Sequence, residues 1–216
     1  MTRVLFVCTG NTCRSPMAEA LLEHRNKTDH VEADSAALHG LEGVPMSEGT
    51  RRVLQTRGIM ESHQSKILDE FRLRSADIVL AMTESHKQSL IDQFPEAVEK
   101  VFTLKEYTAD DPELLDKMEQ LKAQYAEMEL ERAKILAEHQ GEVETYNEEG
   151  TLSNQSKIEE KLLNALLPYQ SAIDKLQWDM PSLDIPDPFG GEEEEYEAVY
   201  EEINQAITRL LEKIEN

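Results

Sequence analysis

Residues 6–22 read FVCTGNTCRSPMAEALL. A run of branched and aromatic residues ends in Cys8, and a short polar loop of Thr9, Gly10, Asn11, Thr12 and Cys13 follows. Arg14 and Ser15 close the loop, and Pro16 opens a helical pattern at once. A strand–loop–helix turn of this kind lies at the carboxyl edge of a parallel sheet, where α/β proteins commonly hold ligands. Gly10 lets the backbone turn and approach a ligand closely. Successive N–H groups between Thr9 and Ser15, backed by the start of the next helix, can converge into a nest that suits a phosphate dianion. The Gly-Lys-Ser/Thr ending of a nucleotide-binding loop is absent. Cys8 sits beneath the nest, where the same dipoles stabilise a thiolate. Arg14 brings a planar fork that binds two phosphate oxygens together, a geometry lysine lacks. The chemistry these types permit is attack of sulfur on phosphorus, with donors surrounding the oxygens.

A cysteine nucleophile needs a group to protonate what leaves. Residues 184–191, DIPDPFGG, offer Asp187. Pro188 biases Asp187 toward an extended backbone, and the glycines after Phe189 loosen the loop, so the carboxylate can hang over the nest. Phe189 can wall the pocket and stack on a planar substrate. Cys13, five residues beyond Cys8, can trap an oxidised Cys8 as a disulfide; the plain alternative is a small buried hydrophobe. The six histidines show no metal-ligand spacing, so neither a metal nor another cofactor is expected.

The elements that must position these groups read as alternating strands and helices. Strands are expected over 3–7, over 31–38 (VEADSAAL), over 76–82 (ADIVLAM) and over 100–104 (KVFTL). Between them, helical spacing runs from Met17 to His24. Ser47 can cap a helix ended by Gly58, and Thr83 can cap another closed by Pro95. This alternation implies a doubly wound, four-stranded parallel sheet covered on both faces. From 109 to 181 the pattern changes. Leu114, Met118, Leu121, Tyr125, Met128, Arg132, Ile135 and His139 step as a heptad seam. A second stripe uses Ile158, Leu162, Leu166, Tyr169, Ile173 and Leu176, with Pro168 expected to kink or split its helix. Gly141 and the run NEEGTLSN, 147–154, read as a turn, which makes an antiparallel helical hairpin inserted in the sheet domain. The expected division is a discontinuous domain, 1–108 with 182–216, around an insertion at 109–181. Residues 194–214 read as a terminal helix with its acids early and Lys213 late, as the helix dipole prefers.

Composition narrows the partners. The 216 residues are 39% hydrophobic and carry a formal net charge of −22. That charge opposes nucleic acid and anionic membrane surfaces as partners. Both cysteines lie in the one loop, which excludes a secreted disulfide scaffold. The start MTRVLFV is too short and polar for a signal peptide, and no apolar run approaches a membrane span. A reducing cytoplasm is the simplest compartment.

The stretch VCTGNTCRSPMAEALL resembles the loop and helix of the low-molecular-weight protein-tyrosine phosphatase family, and within it looks most like the bacterial protein-arginine phosphatases. The likeness continues through DIVLAMTESHKQSLIDQF and KVFTLKEY and resumes at DIPDPFGG, leaving out the long middle segment. The resemblance implies a phosphocysteine mechanism with Asp187 as general acid and then general base. It also implies that Asn11, Ser15, Ser35 and His63 support the loop through hydrogen bonds. Thr12 stands where tyrosine-directed members commonly carry a bulky aliphatic residue and the arginine phosphatases carry threonine. The expected substrate is therefore phosphoarginine in proteins, with phosphotyrosine as the alternative. Arsenate reduction is disfavoured because no cysteine exists beyond Cys13 to relay a disulfide. A non-catalytic scaffold using the hairpin to bind a partner, or a second copy of itself, is the remaining rival.

Overall fold

A computed structural model describes residues 1–27, 30–60, 62–139 and 152–215 of the chain, without the side chains of 152–157. Four strands, β1 (Thr2–Cys8), β2 (Val31–Ala37), β3 (Ile78–Ala81) and β4 (Val101–Thr103), form one sheet in the order β2-β1-β3-β4. Every neighbouring pair is parallel, with Val4 opposite both Ala33 and Ile78. The central strand is apolar throughout because both its faces are covered. Val4, Phe6 and Cys8 face one core together with α1 (Arg14–Arg25) and the terminal helix α8 (Glu193–Glu215). Leu5 and Val7 face the other core, which holds Leu73 of α3 (Glu70–Ser75) and Leu90 of α4 (Glu84–Gln93). The side-chain period of two thus divides one strand between two cores.

The helix starts follow their side-chain caps. Ser47 accepts from Thr50 N–H at the start of α2 (Glu48–Gln55), and Thr83 accepts from His86 N–H at the start of α4. The run 100–104 does not end as a strand. Thr103 and Glu106 form a reciprocal capping box that turns Leu104–Tyr107 into a short helix, α5. A 3-10 helix, Pro95–Lys100, leads into the amino end of β4.

The chain divides into two compact units, Met1–Ala109 with Leu183–Asn216, and Asp110–Ser182. The second unit is a pair of helices, α6 (Pro112–Glu138) and α7 (Leu152–Trp178), packed on one another. Lys117 donates to the Asp179 carbonyl near one end, and Lys161 pairs with Glu138 near the other, so the helices run antiparallel. Met118, Ile135, Ile158 and Ile173 are buried along the seam. Arg132 is exposed and Glu131 turns partly inward instead, because an α-helix of 3.6 residues per turn drifts off a strict heptad. Pro168 does not split its helix: α7 is continuous, with Pro168 on its exposed side, where losing one backbone hydrogen bond leaves a carbonyl to solvent. Leu152–Trp178 already includes the end of the expected turn; Gly141 and 147–151 lie outside the described residues. No described helix is long and apolar enough to cross a membrane.

Candidate active site

β1 delivers Cys8 to the carboxyl edge of the sheet, and α1 begins six residues later at Arg14. The loop between them is pinned from outside. Leu38 N–H donates to Cys8 carbonyl at 2.9 Å, His39 N–H to Thr9 carbonyl at 2.9 Å, and Ser47 N–H to Thr12 carbonyl at 2.8 Å. Asn11 has φ 53°, the left-handed region that asparagine tolerates better than most residues. That turn aims the Asn11 N–H at Cys8 Sγ, 3.3 Å away. Ser15 Oγ lies 3.0 Å from the same sulfur.

Proton directions here can be worked out. Lys66 N–H donates to Asn11 Oδ1 at 2.8 Å, which fixes the amide orientation. Asn11 Nδ2 must then donate, and it does so to Ser15 Oγ at 2.9 Å and Ser35 Oγ at 2.7 Å. Because Ser15 accepts from Asn11, its own proton is available to the sulfur. Two donors therefore converge on Cys8 Sγ. His63 Nε2 lies 3.0 Å from Asn11 carbonyl, and its Nδ1 lies 3.3 Å from Glu19.

Glu19 closes this network and was not singled out in the sequence. Ser35 donates to it, and Lys66 Nζ binds it at 2.9 Å while also reaching Asp34 at 2.5 Å. Burial alone would raise the Glu19 carboxyl, but hydrogen bonds from His63, Ser35 and Lys66 outweigh it and hold the group below the usual carboxylate range. Burial likewise opposes the Lys66 charge, and Asp34 and Glu19 overcome it, so the lysine lies above its ordinary value. The legible signal was positional: Glu19 stands four residues after Ser15, on the inner side of α1, where a carboxylate needs partners.

Asp187 comes to the site from the far end of the chain. Its Oδ2 lies 2.8 Å from Arg14 Nη2, and Arg14 Nη1 donates to the Ile185 carbonyl at 3.2 Å. Arg14 is only 5% exposed and Asp187 is 53% exposed, so the pair spans the boundary between core and solvent. Arg14 Nε is buried and has no hydrogen-bond partner among the described residues. The acid loop is tied to the β3–α4 junction: Ile185 N–H donates to Met82 carbonyl, Asp184 accepts from Glu84 N–H, and the Ile185 side chain is fully buried. Phe189, two residues on, is 74% exposed. Cys13 is buried with its thiol donating to Ser47 Oγ at 3.2 Å, and Thr12 Oγ1 lies 3.7 Å from the same sulfur. Both cysteines are free thiols.

His86, in the first turn of α4, was also missed. Its Nε2 lies 2.8 Å from Thr9 Oγ1, beside the nucleophile, while its buried Nδ1 has no partner among the described residues. Burial first, and then the Arg14 charge with a smaller push from His39, lower its pKa to about 4; Asp187 and Asp184 offset this only in part. The unfolded chain protonates this histidine near the ordinary histidine value of 6.5, so between about 6.5 and 4 the unfolded state binds more protons. Stability from this residue is complete above that window and is lost as pH falls through it. We expect the melting temperature of the wild type to drop between pH 7 and pH 4.5 more steeply than that of His86→Gln; parallel curves would show that His86 is not desolvated.

Five expected positions, Cys8, Asn11, Ser15, Ser35 and His63, share one hydrogen-bonded network. Thr9, Thr12, Cys13 and Arg14 lie along the same chain segment but bond elsewhere, Thr9 to His86, Thr12 and Cys13 to Ser47, and Arg14 to Asp187. Gly10 lies within the loop, and Phe189 stands on the acid loop at its rim. No group of acidic, histidine and cysteine side chains with metal-binding geometry occurs among the described residues.

The sequence profile of the family described as low molecular weight phosphotyrosine protein phosphatase matches residues 3–144 and 145–216. A protein-arginine-phosphatase from Geobacillus stearothermophilus is 47% identical over 107 residues, 50% of this chain and 72% of that protein. Another from Bacillus subtilis is 41% identical over 117 residues, 52% of this chain and 77% of that protein. The solved structure of the YwlE arginine phosphatase from Geobacillus stearothermophilus superposes with a TM-score of 0.64 at 32% identity, covering 100% of this chain and 94% of the other.

Proposed function

This chain belongs to the low molecular weight phosphotyrosine protein phosphatase family, and from that premise we propose that it hydrolyses phosphoarginine in proteins through a phosphocysteine on Cys8. It is a cysteine-dependent hydrolase acting on phosphorylated protein. The observation that carries the reading is the convergence of the Ser15 hydroxyl and the Asn11 N–H on Cys8 Sγ, with Arg14 and Asp187 joined at the same loop.

In the proposed reaction the phosphoryl oxygens lie among the N–H groups of residues 9–15 and the Arg14 fork, whose free Nε supplies a further donor. Cys8 sulfur forms a bond to phosphorus as the phosphorus–nitrogen bond breaks, and Asp187 protonates the departing guanidine nitrogen. Water then attacks phosphorus, giving its proton to Asp187, and the thiolate leaves onto the donors Ser15 and Asn11. Ser35, His63 and Glu19 act through Asn11, keeping its amide turned so that Ser15 can donate. Phe189 walls the entrance. Cys13 is the proposed trap for an oxidised Cys8, after release from Ser47. Partners on this reading are phosphorylated proteins, which the helical hairpin is free to handle. The free thiols suit a reducing cytoplasm.

The choice of arginine rests on the two relatives named protein-arginine-phosphatase, on Thr12, and on the charge of Asp187, which complements a guanidinium. Phosphotyrosine is the second reading, supported by the family's description. Thr12 is only partly buried and lies within the loop, with its Oγ1 3.7 Å from Cys13 Sγ. Comparing phosphoarginine and phosphotyrosine peptides on wild type and Thr12→Ile separates the two. The substitution should move the kcat/KM ratio toward phosphotyrosine by about tenfold, the scale at which pocket shape discriminates. An unchanged ratio would remove threonine as a determinant.

A further inference from the structure

Beside the active site lies a second cleft of about 490 Å³ that the chemistry above does not use. The start of α2 forms one wall, the run Phe189 to Glu193 forms the other, and Tyr196 closes it. The walls approach closely because residue 49 is glycine: a Cβ there would come within 2.5 Å of the Tyr196 ring. The cleft is continuous with the site through two shared segments. Phe189 follows Asp187 by two residues on the acid loop, and Ser47 holds the Thr12 carbonyl and accepts from Cys13.

Its charge is one-sided. Glu48 is held by Arg51 and Arg52, and Arg52 lines the cleft, so that wall carries no net negative charge. Across from it, Glu192 and Glu193 are exposed, and their carboxylates form no ion pair among the described residues. Phe189 presents an exposed ring beside them, a face suited to a guanidinium or an alkylammonium stem. An extended polypeptide entering the loop with one phosphorylated residue must lay its neighbours on the surface next to the acid loop.

We propose that this cleft takes the residue flanking the phosphorylated one in a protein substrate, and that it favours lysine or arginine there. The proposal rests on the phosphatase reading of the site and adds a sequence preference to it. A scaffold that only accepts the phosphorylated side chain would show no such preference.

The test uses the full chain with three substrates: free phosphoarginine, a phosphoarginine peptide flanked by lysines, and the same peptide flanked by glutamates. The lysine peptide should have a KM about tenfold below the glutamate peptide at low salt, and the gap should close as ionic strength rises, as expected for exposed charges. Turnover of free phosphoarginine should not follow. Because the whole chain is acidic, non-specific attraction must be separated. Glu192→Lys with Glu193→Lys should abolish the preference, whereas Glu96→Lys with Glu99→Lys, on the 3-10 helix at the amino edge of β4, should keep it. An equal loss from both double variants, or no loss from the first, overturns the cleft. If wild type turns over none of the three phosphoarginine substrates, the arginine assignment is what fails, and the same flanks on phosphotyrosine then read the cleft.

Discussion

Replacing Cys8 by serine should reduce turnover by a factor on the order of 10⁴ or more while leaving the fold intact. The loop is held by backbone bonds from Leu38, His39 and Ser47 and by the Asn11 amide, none of which needs the sulfur. Serine matches cysteine in shape, and its hydroxyl can keep the bond to Ser15. What it loses is chemistry: a hydroxyl is a poorer nucleophile than a thiolate at neutral pH and a much poorer leaving group in the second step. Phosphate or vanadate should still bind Cys8→Ser, because the donors around the anion are unchanged. Retained multiple turnover in that variant would mean that water attacks phosphorus directly, and the covalent route proposed for this chain would be wrong.

Asp187→Asn should come next, with kcat lower by roughly 10²- to 10⁴-fold, the usual worth of a positioned general acid. The amide is the same size and keeps an oxygen for Arg14, so the contact at 2.8 Å weakens without disappearing. The acid loop itself stays in place through Ile185 and Asp184, which do not depend on the carboxylate. The loss should therefore fall on kcat, with a small change in melting temperature. A substrate whose leaving group needs no proton should be much less affected. If KM rose instead and kcat held, Asp187 would be a binding group for the substrate cation, and the proton would have to come from elsewhere.

The two variants divide the site along its physical seam. Cys8, Asn11, Arg14 and Ser15 belong to one continuous turn; Cys8 and Arg14 were legible from residue type and spacing, and Asn11 and Ser15 were named through the family resemblance. Ser35 and His63 were named through the family resemblance, and the structure brings both to Asn11. Glu19 and Lys66 were not named, because a lone glutamate in a helix and a lone lysine in a loop look like surface charge until the backbone N–H of Lys66 is seen against Asn11 Oδ1. His86 was hidden for the same reason: it sits in a helix start that reads as ordinary capping, and only the folded chain sets it against Thr9. The departures in the helices have equally local causes. Pro168 stays within α7 on an exposed side, and Arg132 gives way to Glu131 through helical drift.

What this sequence determined alone is what short-range geometry determines: the buried strand β1, the loop that joins it to α1, the caps at Ser47 and Thr83, and the apolar stripes of α6 and α7. Each depends on neighbours a few positions apart, so it is written in the order of residues. Tertiary structure alone decided which carboxylate meets Arg14 across 173 positions, which amide orientation lets Ser15 face the sulfur, and which wall of the neighbouring cleft keeps its charge. Those outcomes depend on parallel strands bringing distant loops to a single sheet edge, where burial strengthens every charge and hydrogen bond.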